Sequence, residues 1–280
     1  MPETRPGQNH SPNSSRVITL HHLPGSGGTI ITALLSTCDQ LFVVNEKTPN
    51  PKFPERAPRF NPNYLVSEIS ERYSFEFKDL SESQEFQITL QNYFLNEIRV
   101  ARKLCELRGR DLLIRDWSQK DFVTDKRSDN SRLLELLKNT DSKPAFSVAT
   151  IRNPIANFLS ARRSGFLTNS PDLLEWDGYC AMTIRFFEYM AESTNMVARY
   201  EDIIEKPETF LSDFSEKTGL AFSTDFRGKL DRYKLSGASG RSDRVLAPRP
   251  VRDSDQKEYK ILQQTMIYKE AAEKMGYKTG

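Results

Sequence analysis

Residues 21 to 36, HHLPGSGGTIITALLS, place a glycine-rich turn between two apolar segments. RVITL before the turn is typical of a strand and TIITALLS after it of a helix, a combination that predicts a phosphate-binding loop. Successive backbone N–H groups and the helix N-terminus would attract a dianionic group, and Ser26 and Thr29 add hydroxyl donors. Gly27 and Gly28 lead directly to Thr29, so the Lys-Ser/Thr of nucleotide-hydrolysing loops is missing. A tight strand-to-helix turn without a ligand is the alternative.

Two further segments have compositions suited to anions. In RNPIANFLS, Arg152 follows a predicted strand and Ser160 lies eight residues on, inside the next helix. A guanidinium and a hydroxyl at that spacing can converge on one phosphate. The segment GASGRSDRVLAPRP, residues 237 to 250, has glycine, serine and arginine without apolar periodicity, which suits a loop that closes on an anion. The alternatives are an arginine paired with a surface acid and a flexible linker.

The elements around these motifs alternate along the chain. RVITLHH, QLFVVNE, DLLIRDW, AFSVATIR and MVARYED indicate strands, and helix-like segments separate them, ending with one long helix over 255–275. The alternation predicts an α/β fold with a central parallel β-sheet flanked by helices. We predict a single domain over residues 16–280 after a disordered tail, 1–15. Ligands of such sheets bind beyond the carboxyl ends of the strands, where each motif lies.

A proline-rich segment, KTPNPKFPERAPRFNPNY, interrupts this alternation after the second strand. Its five prolines exclude regular structure. Long irregular segments inside a domain usually serve function. We therefore expect residues 48 to 63 to border the acceptor site and to be mobile without ligand.

Composition narrows the classes of partner. The formal net charge is only +2 with 28% charged residues, which argues against a nucleic-acid binder. No apolar run approaches the roughly 18 residues of a membrane span. The polar N-terminus has no secretory signal, and the three scattered cysteines have no metal-binding spacing, so we expect a cytoplasmic, metal-free protein.

The order of the motifs resembles that of sulfotransferases that use 3′-phosphoadenosine-5′-phosphosulfate (PAPS). LPGSGGTIITALLS resembles their 5′-phosphosulfate loop, and RNPIANFLSARRSG resembles their 3′-phosphate motif. RYEDIIEKPETFLSDFSEKTGL resembles a late strand end and helix, and SGASGRSD resembles their C-terminal loop over the cofactor. LLIRDWSQKDF is similar to a strand and turn in a bacterial branch. The resemblance extends from about Arg16 to Arg252.

The resemblance implies a P-loop-like sulfotransferase fold and transfer of a sulfuryl group from PAPS to a hydroxyl or amine of a small-molecule metabolite, such as a secondary metabolite. Adenosine 3′,5′-bisphosphate (PAP) would be the product, and no metal would be required. The alternatives are a catalytically impaired nucleotide-binding protein of the same fold and a glycan sulfotransferase. Tyr200 would lie beside the adenine or its phosphate. The residues implied in cofactor binding are Gly25, Ser26, Gly27, Gly28, Thr29, Ile30, Arg152, Ser160, Tyr200, Ser239, Gly240 and Arg241.

The sequence departs from the family pattern at a cationic position. Many members carry lysine or arginine after the proline of the first loop, where it stabilises the departing phosphate, and this chain has Gly25 there. If the protein is active, the cation must come from elsewhere. The candidates are Arg115, Lys120, Lys47 and the loop that contains Arg241.

The second departure concerns the general base. Cytosolic members carry a catalytic histidine after the central strand, where this chain reads Trp117-Ser118-Gln119. Glu46, which follows the strand LFVV, occupies a position where some sulfotransferases carry an active-site glutamate. We predict Glu46 as the base and expect it beside the phosphate loop, with the first two strands close in the sheet. The other candidates for the base are His22, Asp116 and Asp121, and the aromatic candidates for the acceptor pocket are Trp117, Phe53, Phe60 and Tyr64.

Overall fold

The described part of the chain contains one five-stranded sheet. The computed structural model describes residues 15–47, 84–123, 128–230, 246 and 251–279. All strand pairs are parallel, and the strand order is β2-β3-β1-β4-β5. This arrangement confirms the α/β fold class predicted from the alternation of patterns. The strands are β1 (Val17–His22), β2 (Leu41–Lys47), β3 (Asp111–Asp116), β4 (Phe146–Ile151) and β5 (Met196–Arg199).

Helices connect the strands and complete the fold. Short 3₁₀ segments lie at Pro171–Leu173, Arg227–Lys229 and Asp253–Asp255. The helices are α1 (Gly28–Leu35), α2 (Gln84–Glu106), α3 (Gln119–Phe122), α4 (Arg132–Lys138), α5 (Pro154–Arg163), α6 (Trp176–Ser193), α7 (Tyr200–Glu205), α8 (Pro207–Thr218), α9 (Gln256–Gln263) and α10 (Met266–Lys274). None of the helices in the described part of the chain is long and apolar enough to cross a membrane.

Alternate residues of each central strand pack on opposite faces of the sheet, as the side-chain period of two requires. Ile18 and Leu20 of β1 pack in a cluster that includes α1, α7 and α8. Val17 belongs to the cluster with α2 and α4, and Ala149 of β4 packs against α5, α6 and α10. Because both faces are covered, the strands are apolar along most of their length, and the polar ligand site is left to the strand ends.

The prediction that the first two strands lie close together in the sheet was wrong. β3 lies between β1 and β2, so Glu46 is two strands away from the strand that enters the glycine loop. Parallel strands need long crossovers, and the sequence pattern does not specify which neighbour each crossover selects. The register between β2 and β3 also shifts between Val44 and Lys47, which marks a bulge at the strand end.

Two element boundaries also differ from the predictions. The strand predicted for MVARYED ends at Arg199, and Tyr200 begins α7. The helix predicted over 255–275 is two helices, because Thr265 caps a new one by accepting the backbone N–H of Tyr268 at 3.3 Å. The proline-rich segment, with Phe53, Phe60 and Tyr64, and the residues Ser239, Gly240 and Arg241 lie outside the described residues.

Candidate active site

A cavity of about 390 Å³ lies at the carboxyl ends of β1, β3 and β4. This volume falls in the usual range for small-molecule sites. The glycine loop, one face of α5 and the end of β3 contribute to its wall, together with Val251, Arg252, Asp255 and Tyr259. The glycine loop and the motif from Arg152 to Ser160, which lie in separate parts of the sequence, therefore meet in one place.

The glycine loop makes a close-fitting cradle at the start of α1. Gly27 has a φ of 84°, and no side chain of the described residues caps the first turn of the helix. A Cβ at Gly27 would lie 2.3 Å from the ring of Tyr200, and one at Gly28 would lie 2.3 Å from the ring of His22. Only glycine lets the two rings pack this closely against the loop, and the uncapped N-terminus favours an anion.

Gly25 explains why the loop lacks a lysine. Its φ of 78° lies in the left-handed region, and a Cβ there would be 2.9 Å from Oδ1 of Asn157 and 3.2 Å from the backbone nitrogen of Ala161. The loop is thus packed closely against α5. A lysine in this backbone conformation would be strained, and Asn157 and α5 would have to shift to admit its Cβ.

Arg152 joins the glycine loop to the wall formed by α5. Its Nη1 donates to the carbonyl oxygen of Gly25 at 2.7 Å, and its guanidinium lies over the ring of Tyr200, 4.8 Å from the centroid. Its Nε is buried without a hydrogen-bond partner. Ser160 lines the same cavity two turns along α5. An unpartnered buried donor and a hydroxyl in the same cavity wall favour an anion as its ligand.

Arg115 supplies a buried positive charge on the opposite wall. Its guanidinium is 3% exposed, with Nη2 2.9 Å from Oε1 of Glu46 and 3.3 Å from the hydroxyl of Thr29. Its Nε donates to Nε2 of His22 at 2.7 Å. Burial lowers the pKa of Arg115 and the charge of Glu46 opposes this effect, and a guanidinium stays protonated at neutral pH.

Two solved structures that match this chain over nearly its whole length are sulfotransferase domains. A scan of protein families and a search of curated proteins find no match. A sulfotransferase domain from the curacin biosynthetic pathway superimposes with a TM-score of 0.54 at 15% identity, over 96% of this chain and 99% of that chain. A sulfotransferase domain from the Synechococcus PCC 7002 olefin synthase gives a TM-score of 0.51 at 14% identity, over 99% of each chain. The chain has the sulfotransferase fold. At these identities, the likeness concerns the fold alone.

Glu46 lies at the end of the cavity that Arg115 lines. Its φ of 38° is the only positive value at a non-glycine residue in the described part of the chain. Such a conformation costs of order 1–3 kcal/mol and persists where the surroundings hold it. The bulge of β2 and the contact with Arg115 hold it here. Glu46, the predicted base, therefore lines the cavity. Its backbone is strained, and its strand is not the neighbour of the strand that enters the glycine loop.

His22 lines the cavity but is held as a neutral hydrogen-bonding group. Its Nδ1 donates to the carbonyl oxygen of Leu23 at 3.1 Å, which leaves Nε2 to accept the N–H of Arg115. Burial, and next the charge of Arg115, lower the pKa of His22 to about 3. With its lone pair engaged and its basicity low, His22 fits a positioning role for Arg115 better than the role of base.

We expect His22 to contribute to acid sensitivity. Because its pKa is lowered in the folded state, the unfolded state binds more protons between about pH 6.5 and 3, so stability falls as pH falls through that window. His22→Gln keeps an acceptor for Arg115 and removes the titration. Its melting temperature should fall less than that of the wild type between about pH 7 and pH 4. Equal pH dependence in the two proteins would show that His22 is not held neutral.

Asp116 and Asp121 lie behind the cavity wall rather than in it. Asp116 is fully buried, and its Oδ2 accepts the hydroxyls of Ser118 and Ser131 and contacts Nδ1 of His21 at 2.9 Å. Burial, and next the charge of Asp116, raise the pKa of Asp121 well above its usual value, and the nearby Arg132 opposes this effect. Neither carboxylate lines the cavity, which argues against both as the base.

Ser26 also differs from its predicted role. Its hydroxyl donates to the carbonyl oxygen of Leu23 at 2.6 Å, and its backbone N–H donates to the same atom. The side chain is fully buried and stabilises the turn. Gly25, Gly27, Gly28, Thr29 and Ile30 line the cavity, but Ser26 does not.

Several lining residues were missed because they come from the far end of the chain. Asp255 and Tyr259 lie about one hundred residues after the motif that contains Ser160, and no local pattern marks them. Arg163 was within reach of sequence reasoning, since it follows Ser160 by one helical turn.

Among the described residues, no group of His, Cys, Asp and Glu side chains is placed to hold a metal ion.

Proposed function

We propose that this protein is a PAPS-dependent sulfotransferase that acts on a hydroxyl or amine of a small-molecule acceptor. The observation that carries the proposal is the bond from Arg152 to the Gly25 carbonyl oxygen, which joins a phosphate-type helix N-terminus to an arginine–serine wall. A donor with anionic groups at both its 5′ and 3′ ends matches this pair of sites. The sulfotransferase fold supports the same reading.

The residues present fit such a donor. The N-terminus of α1 would hold the 5′-phosphosulfate, because it is uncapped and its glycines leave no Cβ in the way. Arg152 and Ser160 would hold the 3′-phosphate, and the unpartnered Nε of Arg152 offers it a donor. Tyr200, which packs between Gly27 and Arg152, would fix the position of both groups.

PAPS, when bound, supplies an activated sulfuryl group and a bisphosphate that departs as an anion. We propose that Arg115 provides the positive charge beside the 5′ group that Gly25 does not carry. Among the other candidate cations, Lys120 does not line the cavity, and its Nζ lies 5.0 Å from the centroid of the Trp117 ring. The side chains of Lys47 and Arg241 are outside the described residues. A preorganised buried charge of this kind stabilises developing negative charge without reorganisation.

Glu46 takes the proton of the acceptor in this proposal. A carboxylate that is 24% exposed at the cavity wall can accept a proton from an acceptor hydroxyl or amine. Its contact with Arg115 and its strained backbone fix its direction. Glu46 and Arg115 thus place a proton acceptor and a charge stabiliser on one wall, which favours an active enzyme over an impaired nucleotide-binding protein.

Ligand-dependent stability tests the proposed donor directly. PAP should raise the melting temperature of the protein, because a ligand that binds only the folded state stabilises it by mass action. ATP with magnesium should not, since the loop lacks the Lys-Ser/Thr pair of nucleotide-hydrolysing proteins. A metabolite library with PAPS, assayed by mass spectrometry, would then identify the acceptor. A shift with ATP and none with PAP would exclude the proposal.

We expect Arg152→Ala and Ser160→Ala to weaken PAP binding without changing the fold. Loss of a charge-assisted contact should cost roughly 1.5–3 kcal/mol for the arginine, about tenfold to a hundredfold in affinity, and less for the serine. Arg185→Ala is the matched control, because its side chain pairs with Asp129 on the surface. Calorimetry that finds Arg152→Ala and Ser160→Ala as tight as the control would remove the assignment of this wall.

A further inference from the structure

An acidic side chain stands among the basic residues at the α5 end of the cavity. Arg152, Arg163 and Arg252 line this end together with one carboxylate, Asp255. Oδ2 of Asp255 accepts a hydrogen bond from Nη1 of Arg163 at 2.5 Å. A carboxylate repels the anion that the rest of this wall would attract, so its presence here needs a physical reason.

Arg163 lies on the helix face that lines the cavity. α5 presents Ala156, Leu159, Ser160, Arg163 and Ser164 to the cavity, the spacing of one face of a helix. Residues three apart on a helix are neighbours, with Cβ atoms roughly 5–6 Å apart. The long side chain of Arg163 is therefore within reach of an anion held by Ser160, but its Nη1 is occupied by Asp255.

The segment that carries Asp255 has a second attachment to α5, outside the cavity. Glu258 accepts from both terminal nitrogens of Arg162, at 2.8 and 2.5 Å, and Arg162 also lies over the ring of Phe158. Neither Arg162 nor Glu258 lines the cavity. The bidentate pair can hold the segment on α5 when the contact of Asp255 is broken.

We propose that Arg163 is a further anion-binding residue and that Asp255 is its exchangeable counter-ion. A phosphate group that enters beside Ser160 takes the place of the Asp255 carboxylate on Arg163. Asp255 then moves away from the anion while Glu258 keeps the segment in place. This inference rests on the proposed function, because it takes the 3′-phosphate of the donor as the entering group.

The exchange predicts that removing the counter-ion improves binding. Asp255→Asn removes a competing charge, so PAP should bind about two- to fivefold more tightly, the range of a partly exposed ion pair. Asp253→Asn is the matched control, because it removes one negative charge from an exposed position of the same segment that does not line the cavity. The gain should shrink at high salt, since the charges are partly exposed. Calorimetry at two salt concentrations measures both effects.

Chemical modification of arginine gives a second readout that does not depend on affinity. Phenylglyoxal, followed by peptide mass spectrometry, should label Arg163 faster in Asp255→Asn than in the wild type or Asp253→Asn, and PAP should protect it. If PAP binds but Asp255→Asn is no tighter than Asp253→Asn, or Arg163 is not protected, the exchange is wrong while the proposed function stands. If no variant binds PAP, both are wrong.

Discussion

Glu46→Gln is expected to lower turnover by about 10²- to 10⁴-fold while leaving PAP affinity unchanged. The substitution keeps the size of the side chain and an oxygen that can accept from Arg115, but it removes the proton acceptor. Loss of a general base typically has an effect of this size. Steady-state rates with the acceptor identified from the library, together with calorimetry for PAP, separate chemistry from binding.

The control for Glu46 is a carboxylate on the surface. Glu135→Gln changes an exposed side chain on α4 that contacts Tyr189. This variant should turn over at the wild-type rate. Turnover by Glu46→Gln at the same rate would show that another group takes the proton. Asp116→Asn and His22→Asn would then rank the remaining candidates, although both side chains are engaged elsewhere.

Arg115→Ala is expected to lower turnover by about 10²- to 10³-fold, the usual effect of removing one preorganised charge stabiliser. Arg115 is buried, so the variant also leaves Glu46 without its cation and will be less stable. Arg115→Lys keeps the charge but cannot bridge His22, Thr29 and Glu46 with one planar group, so it should recover only part of the rate.

Chemical rescue separates the charge of Arg115 from its structural role. Added methylguanidine should raise the turnover of Arg115→Ala, because the small cation fits the space that the side chain leaves. It should do nothing for Glu46→Gln. If Arg115→Ala keeps its folded melting transition and turns over at the wild-type rate, the positive charge at the 5′ group comes from another residue.

The parts of the site that were predictable from sequence are those in which neighbours in the chain are neighbours in space. The strand–loop–helix around Gly27 and the spacing from Arg152 to Ser160 are local, and the structure brings both to one cavity. Hydrophobic patterns likewise identified the five strands, and the three central ones, β1, β3 and β4, are buried along most of their length. Local chemistry determines these features and requires no knowledge of the sheet order.

The remaining features depend on pairings that no local pattern encodes. Arg115 meets His22 across a sequence separation of 93 residues, and it does so because β3 enters the sheet beside β1. Asp255 reaches Arg163 because α9 packs back on α5. The sequence suggests that the hydroxyl of Ser26 donates a hydrogen bond to a phosphate, but in the fold it donates to the carbonyl oxygen of Leu23. Only the folded arrangement decides such competitions.

The bond from Arg152 to the loop carbonyl oxygen of Gly25 has a consequence for how fragments of a ligand behave. Arg152 is bonded to the glycine loop, and in the proposed complex it would also bind the 3′ group, so the two phosphates would share one organising residue. Their binding free energies should then be coupled rather than additive. Adenosine with a single phosphate, at the 3′ or the 5′ position, should therefore have a binding free energy less favourable than half of that of the bisphosphate. This coupling should disappear in Arg152→Ala.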